Sequence, residues 1–130
     1  MFQDGRGQTL DETATSQTYP AQKPKILIID DNPSIVDVIR RIIKLDGRYE
    51  PIVAYDGVAG LEAFEVEHPI CVIVDAKMPN MDGYQFLRCL RGDITTAATA
   101  LVMLTALVRP NEKQTGLLSG ADEYLTKPFR

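Results

Sequence analysis

Residues 70–83 read ICVIVDAKMPNMDG and constrain the fold more than any other stretch of the chain. Five apolar, mostly β-branched residues, Ile70, Cys71, Val72, Ile73 and Val74, run directly into one carboxylate, Asp75. An unbroken apolar run of this length is the pattern of a strand covered on both faces, as in a parallel sheet. Met78-Pro79-Asn80 and Asp82-Gly83 then turn the chain into a loop. Asp75 is therefore expected at the carboxyl end of a central strand, facing the crevice in which open α/β sheets bind ligands.

The rest of the chain repeats the strand-then-helix theme. Lys25 to Ile29 reads as a strand that ends at Asp30-Asp31. Asn32 suits a helix N-cap and Pro33 the first helical position. Ile35, Val38, Ile39, Ile42 and Ile43 follow at helical spacing, and Gly47 closes that helix. Pro51 to Tyr55 is a second strand, placed near an edge by its proline. Asp56-Gly57 leads into a helix with Leu61, Phe64 and Val66 on its apolar side. Gly83 opens a third helix with Phe86, Leu87 and Leu90 inward and Gly92 beyond its end. Ala100 to Leu104 is a fourth strand stopping at Thr105-Ala106, Pro110 starts a fourth helix ending near Ser119-Gly120, and Glu123-Tyr124-Leu125 is a short fifth strand. Such alternation implies parallel strands joined by right-handed crossovers. The chain stops where a fifth helix is expected to begin.

The 130 residues are 45% hydrophobic and 25% charged, which suits one domain with a real core. Residues 1–24 are rich in Gln, Thr, Ser, Asp and Gly and cannot bury enough surface to offset their ordering entropy. They are expected to form a flexible N-terminal extension, with the folded domain over 25–130. The net charge of −4 argues against direct nucleic-acid binding by the domain surface. No apolar run approaches the roughly 18–20 residues of a membrane span, and no basic segment precedes an apolar one at the N-terminus. The expectation is a cytoplasmic protein without membrane contact. Cys71, inside the apolar strand, and Cys89, beside Phe86, Leu87 and Leu90, read as small core residues rather than as a disulfide or a metal site.

In a parallel sheet the carboxyl ends of all strands share one edge. That edge gathers Asp30 and Asp31 after the first strand, Asp75 at the third, Thr105 at the fourth and Lys127 after the fifth. Three close carboxylates repel and raise one another's pKa. A hard divalent cation relieves the repulsion, and Mg²⁺ accepts a few carboxylates, a carbonyl and retained waters. Zinc does not suit the cluster, because the single histidine, His68, is distant in sequence. A carboxylate, Mg²⁺, a lysine and a hydroxyl together suit phosphoryl transfer with Asp75 as nucleophile. Each residue alone has a plainer reading: the acidic pair as a helix start, Asp75 as a turn former, Thr105 as a cap, Lys127 as a solvated charge, Tyr124 as half-buried strand packing. Their joint placement at successive strand ends favours the site.

Residues 25–130 resemble a two-component response-regulator receiver domain of the CheY-like superfamily. The matching pieces are Ile28-Ile29-Asp30-Asp31-Asn32, Val74-Asp75-Ala76-Lys77-Met78-Pro79 with Asp82-Gly83, Leu104-Thr105-Ala106, Gly120-Ala121-Asp122-Glu123-Tyr124-Leu125 and Lys127-Pro128-Phe129. The resemblance implies a flavodoxin-like, doubly wound five-stranded parallel sheet of order 2-1-3-4-5, here without its fifth helix. It implies that Asp75 accepts phosphate from the phosphohistidine of a sensor histidine kinase or a histidine phosphotransfer protein. Asp31 and Asp75 are implied to ligate Mg²⁺ directly, Asp30 through water, and the Lys77 backbone carbonyl as a further ligand. Thr105 and Lys127 are implied to contact the phosphoryl group, and Tyr124 to be the switch aromatic that turns inward with Thr105. Lys127-Pro128 is implied to be a cis peptide, and the small Ala106 to leave the phosphate open to its donor. Lys77 and the missing helix depart from the common pattern.

The resulting expectation is a phosphorylation-controlled signalling domain that promotes its own phosphotransfer and autodephosphorylation but has no separate substrate. A phosphorylation-independent interaction module is the alternative, although such relatives often lose an acidic residue that is present here. An aspartate-nucleophile phosphatase is a third reading; those enzymes show Asp-x-Asp, where this chain has Asp75-Ala76-Lys77. A flavin-binding domain shares the sheet order, but without a cation the acidic pocket would repel its phosphate. Without a fifth helix, half of one sheet face is expected to lie bare and to favour self-association.

Overall fold

The computed structural model describes residues 22–105 and 120–127. Eight elements follow in chain order: β1 (Lys25–Ile29), α1 (Pro33–Asp46), β2 (Glu50–Ala54), α2 (Gly57–Glu67), β3 (Cys71–Asp75), α3 (Gly83–Arg91), β4 (Ala100–Thr105) and β5 (Glu123–Thr126). The strands form one sheet in the order β2-β1-β3-β4-β5, with every neighbouring pair parallel. The apolar run does lie at the centre, and the proline-bearing strand at an edge. The expected helix from Pro110, the N-terminal extension up to Ala21, Ala106 and Pro128 fall outside the described residues.

Local sequence explains the helix ends. Asn32 caps α1 by accepting a hydrogen bond from the Ser34 backbone N–H, and Pro33 fills the first turn. Gly47 ends α1 with φ 83°, a left-handed conformation that favours glycine. Asp56 caps α2, accepting from Ala59 N. Asp82 and Gln85 form a reciprocal capping box at the start of α3.

Alternation along the strands sorts side chains onto two faces. On one face Leu27, Ile29, Val72, Val74, Leu101 and Met103 join Phe64 of α2 and Phe86, Leu87 and Leu90 of α3 in a single cluster. On the other face Ile28 and Leu104 pack with Val36, Ile39 and Ile43 of α1. Among the described residues α1 is the sole helix on that second face.

Several expected core positions turn outward. In α1 the inner stripe is Val36, Ile39 and Ile43, whereas Val38 and Ile42 are exposed. At 100° per residue these two fall about 90° or more from that stripe, so the apolar run is wider than the buried face. Val66 and Ile70 are exposed as well, and β3 begins one residue later than the apolar run does. Cys89 is exposed rather than buried. It lies on α3 about 100° away from the side carrying Phe86, Leu87 and Leu90. Cys71 is half-buried.

Candidate functional site

The chain switches direction between β1 and β3: β2 lies outside β1 on one side, and β3, β4 and β5 extend on the other. Loops leaving β1 and β3 therefore part toward opposite faces and open a crevice at their carboxyl ends. Asp30 follows β1 directly, and Asp75 is the last residue of β3. Asp30 is fully buried, Asp75 nearly so, and Asp31 exposed. Carboxylate oxygens of Asp30, Asp31 and Asp75 all lie within 4.8 Å of one another.

Lys127 reaches this cluster from beyond β5. Its Nζ stands 2.8 Å from Asp30 Oδ2 and 3.3 Å from Asp75 Oδ1. The Lys127 backbone N–H donates to the Thr105 carbonyl at 2.7 Å, which continues the β4–β5 ladder and aims the lysine inward. Lys127 is thus drawn into the cluster and is not a solvated charge. Thr105, at the end of β4, is buried. Lys77 is exposed in the loop after β3, and its backbone N–H lies 3.5 Å from Asp75 Oδ1.

Tyr124 is the sequence-expected residue that stands apart from the carboxylates. It pairs with Met103 across the β4–β5 ladder, so it shares a sheet face with Met103 and with Thr105 two residues on. It is buried, where strand packing alone suggested half-burial, and its hydroxyl lies 3.2 Å from the hydroxyl of Tyr84 on α3.

Burial raises the Asp75 pKa and the neighbouring Asp30 carboxylate adds to the shift, with Lys127 opposing both. Burial by itself disfavours the Lys127 charge, but Asp30 and Asp75 outweigh it and raise the ammonium's pKa. Three carboxylates facing one ammonium leave an excess of negative charge in a partly desolvated crevice. Asp30 Oδ2 is buried and meets Lys127 as an ion pair without an aligned hydrogen bond. An oxygen-only donor set with unspent coordinating capacity fits a hard divalent cation such as Mg²⁺.

Three residues to which sequence reasoning gave no site role help to build the site or to seat α3 beside it. A Cβ on Gly83 would lie 2.4 Å from the Asp75 carbonyl oxygen and 2.7 Å from Met103 Sδ. Only glycine lets α3 start directly beneath the acidic strand end. The Asp-Gly pair marked the turn but not this close approach. Tyr84 gave no signal, because its partner is forty positions away. Arg91 at the far end of α3 is a third such case. Its guanidinium donates to the carbonyls of Gly120 and Thr99 and pairs with Asp122 at 3.0 Å.

Comparison with known proteins agrees with this architecture. Residues 26–130 match the response regulator receiver domain family, and the chain belongs to that family. It is similar to the DNA-binding dual master transcriptional regulator RpaA of Synechocystis, 42% identical over 107 residues, which covers 82% of this chain and 44% of the relative. The probable transcriptional regulator ycf27 of Porphyridium aerugineum is 42% identical over 108 residues, covering 83% and 43% respectively. The chain therefore spans less than half the length of the curated relatives it matches. Among solved structures it resembles the Vibrio cholerae chemotaxis protein CheY4, with TM-score 0.77, 32% identity and coverage of 83% of this chain and 89% of that one. A response regulator structure from Chloroflexus aurantiacus aligns with TM-score 0.78 at 29% identity, covering 84% and 88%.

Proposed function

We propose that the domain begins near Lys25 and that Asp75 takes a phosphoryl group from a phosphohistidine on a sensor histidine kinase or a histidine phosphotransfer protein. The observation that carries this reading is the Lys127 ammonium, which touches both Asp30 and Asp75 at the switch point of the sheet. An Asp75 oxygen forms the new bond to phosphorus, the phosphorus–nitrogen bond breaks, and the imidazole leaves with the bonding electron pair. Asp31, Asp75 and the Lys77 carbonyl would hold Mg²⁺, with Asp30 acting through water; the ion supplies charge neutralisation for the phosphoryl oxygens. Lys127 offers a second positive charge, and the Thr105 hydroxyl a hydrogen bond to one phosphoryl oxygen. Tyr124, on the same face as Thr105, then follows the movement of that hydroxyl. Hydrolysis of the acyl phosphate by water returns Asp75 and closes the cycle, so the domain acts on itself and turns over no separate substrate.

The location proposed is the cytoplasm; among the described residues no helix is long and apolar enough to cross a membrane. Net charge −4 supports signalling through protein contacts rather than nucleic-acid contact by this domain. Among the described residues Cys71, Val102 and Leu125 lie partly open on the α1 face, which supports self-association with a second copy.

Incubation with acetyl phosphate, followed by intact mass and peptide mapping, tests the assignment. The expected result is one phosphoryl adduct, on Asp75, that is abolished by EDTA and by Asp75→Asn. An adduct mapped elsewhere in the wild type, or an Asp75→Asn protein that gains phosphate at the wild-type rate, overturns it.

A further inference from the structure

The two tyrosines on the side of the sheet away from α1 form a contact that phosphoryl chemistry does not require. Tyr84 is the second residue of α3, and Tyr124 lies in β5, the last strand of the sheet. Their hydroxyls are 3.2 Å apart. This is long for a hydroxyl pair, so the bond is a weak one. Tyr84 itself is half-buried and packs against the cluster that contains Tyr124, Phe86 and Met103.

The post that carries Tyr84 is fixed at both ends. Gly83, immediately before it, fits against the Asp75 carbonyl with no room for a side chain. The Asp82–Gln85 capping box sets the first turn of α3. At the other end Arg91 binds the Gly120 carbonyl and Asp122, and Asp122 also accepts from the Leu101 backbone N–H at 2.8 Å. The start of α3 is thus seated against the ends of β3 and β4, and its far end is tied to the segment before β5, which fixes the base from which Tyr84 projects. Tyr124 is buried on β5, which among the described residues is an edge strand with no neighbour beyond it. A hydrogen bond from a side chain seated in this way favours the inward position of Tyr124 over an outward one.

We infer that Tyr84 is a positioning residue: its hydroxyl holds Tyr124 in the inward position before any phosphoryl group is present, and so sets the resting balance of the switch. The consequence for phosphorylation rests on the phosphoacceptor reading of Asp75; the resting position of Tyr124 does not. A neutral hydrogen bond of this kind shifts a two-state balance by about two- to fivefold. If a phosphoryl group favours the inward state, its affinity moves in the same direction, by at most that factor.

Two measurements decide the assignment. In metal-free, unphosphorylated protein carrying ¹³Cζ-tyrosine, accessibility of the Tyr124 ring to a soluble paramagnetic agent is compared between wild type and Tyr84→Phe, which keeps the ring and its packing. A more accessible Tyr124 is expected. An unchanged signal overturns the proposal, as does a signal that moves in Tyr84→Leu but not in Tyr84→Phe, since that would assign the effect to packing. The second measurement is the affinity for beryllofluoride with Mg²⁺, a phosphoryl mimic. Tyr84→Phe and Tyr124→Phe are each expected to weaken it measurably, by at most about fivefold, and the double variant no further. Losses that multiply in the double variant overturn the link between the two hydroxyls. Failure of wild type to bind beryllofluoride overturns the phosphoacceptor reading instead, and the resting signal still decides the role of Tyr84.

Discussion

On one face of the sheet Leu27, Ile29, Val72, Val74, Leu101 and Met103 are wholly buried in one cluster with residues of α2 and α3. On the other, α1 buries Ile28 and Leu104, while Cys71, Ile73 and Val102 keep partial exposure and Leu125 is 43% exposed. The strands are the same, so the difference comes from what lies above them. The first face carries α3 and the Tyr84–Tyr124 contact on the same side of the sheet. Among the described residues the second leaves these apolar side chains of β3, β4 and β5 partly open. The two faces thus differ, among the described residues, in how completely helices cover the strands.

The largest expected effect breaks the first face. Phe86→Ala removes a fully buried ring from the centre of the cluster and is expected to cost about 3–5 kcal/mol, read from the midpoint of a urea melt. A cost below about 1 kcal/mol would show that the two faces do not differ as described.

A smaller effect should come from the rim that both faces share. Asp75 has a raised pKa in the folded protein because of burial and Asp30. A carboxyl raised in this way favours the folded state while protonated, and that contribution is lost as pH rises through its folded value. Metal-free Asp75→Asn is therefore expected to be more stable than wild type at neutral pH, with the gap closing as pH falls into the acid range. Adding Mg²⁺ should reverse the order, since a cation at 100 times its dissociation constant stabilises the wild type by about 2.7 kcal/mol. Urea melts across pH, with and without Mg²⁺, check both signs.

The smallest effect on stability is expected on the open face. Leu125→Ser alters a side chain already 43% exposed and should change the melt by no more than about 0.5 kcal/mol. It should nevertheless reduce the concentration-dependent rise in mass seen by light scattering across a dilution series. A wild type that remains monomeric throughout the series would remove self-association from the account.

Much of this arrangement was legible in the sequence, because local chemistry determines it. The apolar run before Asp75 identified the central strand, and Asn32-Pro33, Asp56 and Gly47 marked helix ends through capping needs that act within a few residues. Strand–helix alternation implied a parallel sheet, and such a sheet must bring its strand ends to one edge. That requirement placed Asp30, Asp31, Asp75, Thr105 and Lys127 together before any distance was known. Tertiary structure decided what depends on partners far along the chain. Sequence spacing showed that α1 is apolar, but only packing on the sheet chose Val36 over Val38 and Ile42. Cys89 looked internal beside Phe86 and Leu87, and the rotation of α3 turned it outward. The need for glycine at position 83 comes from a carbonyl on another element. The Tyr84–Tyr124 contact exists only because the fold brings α3 within side-chain reach of β5. Capping and alternation are short-range and written residue by residue; the direction a side chain faces and the group it meets are set by the whole fold.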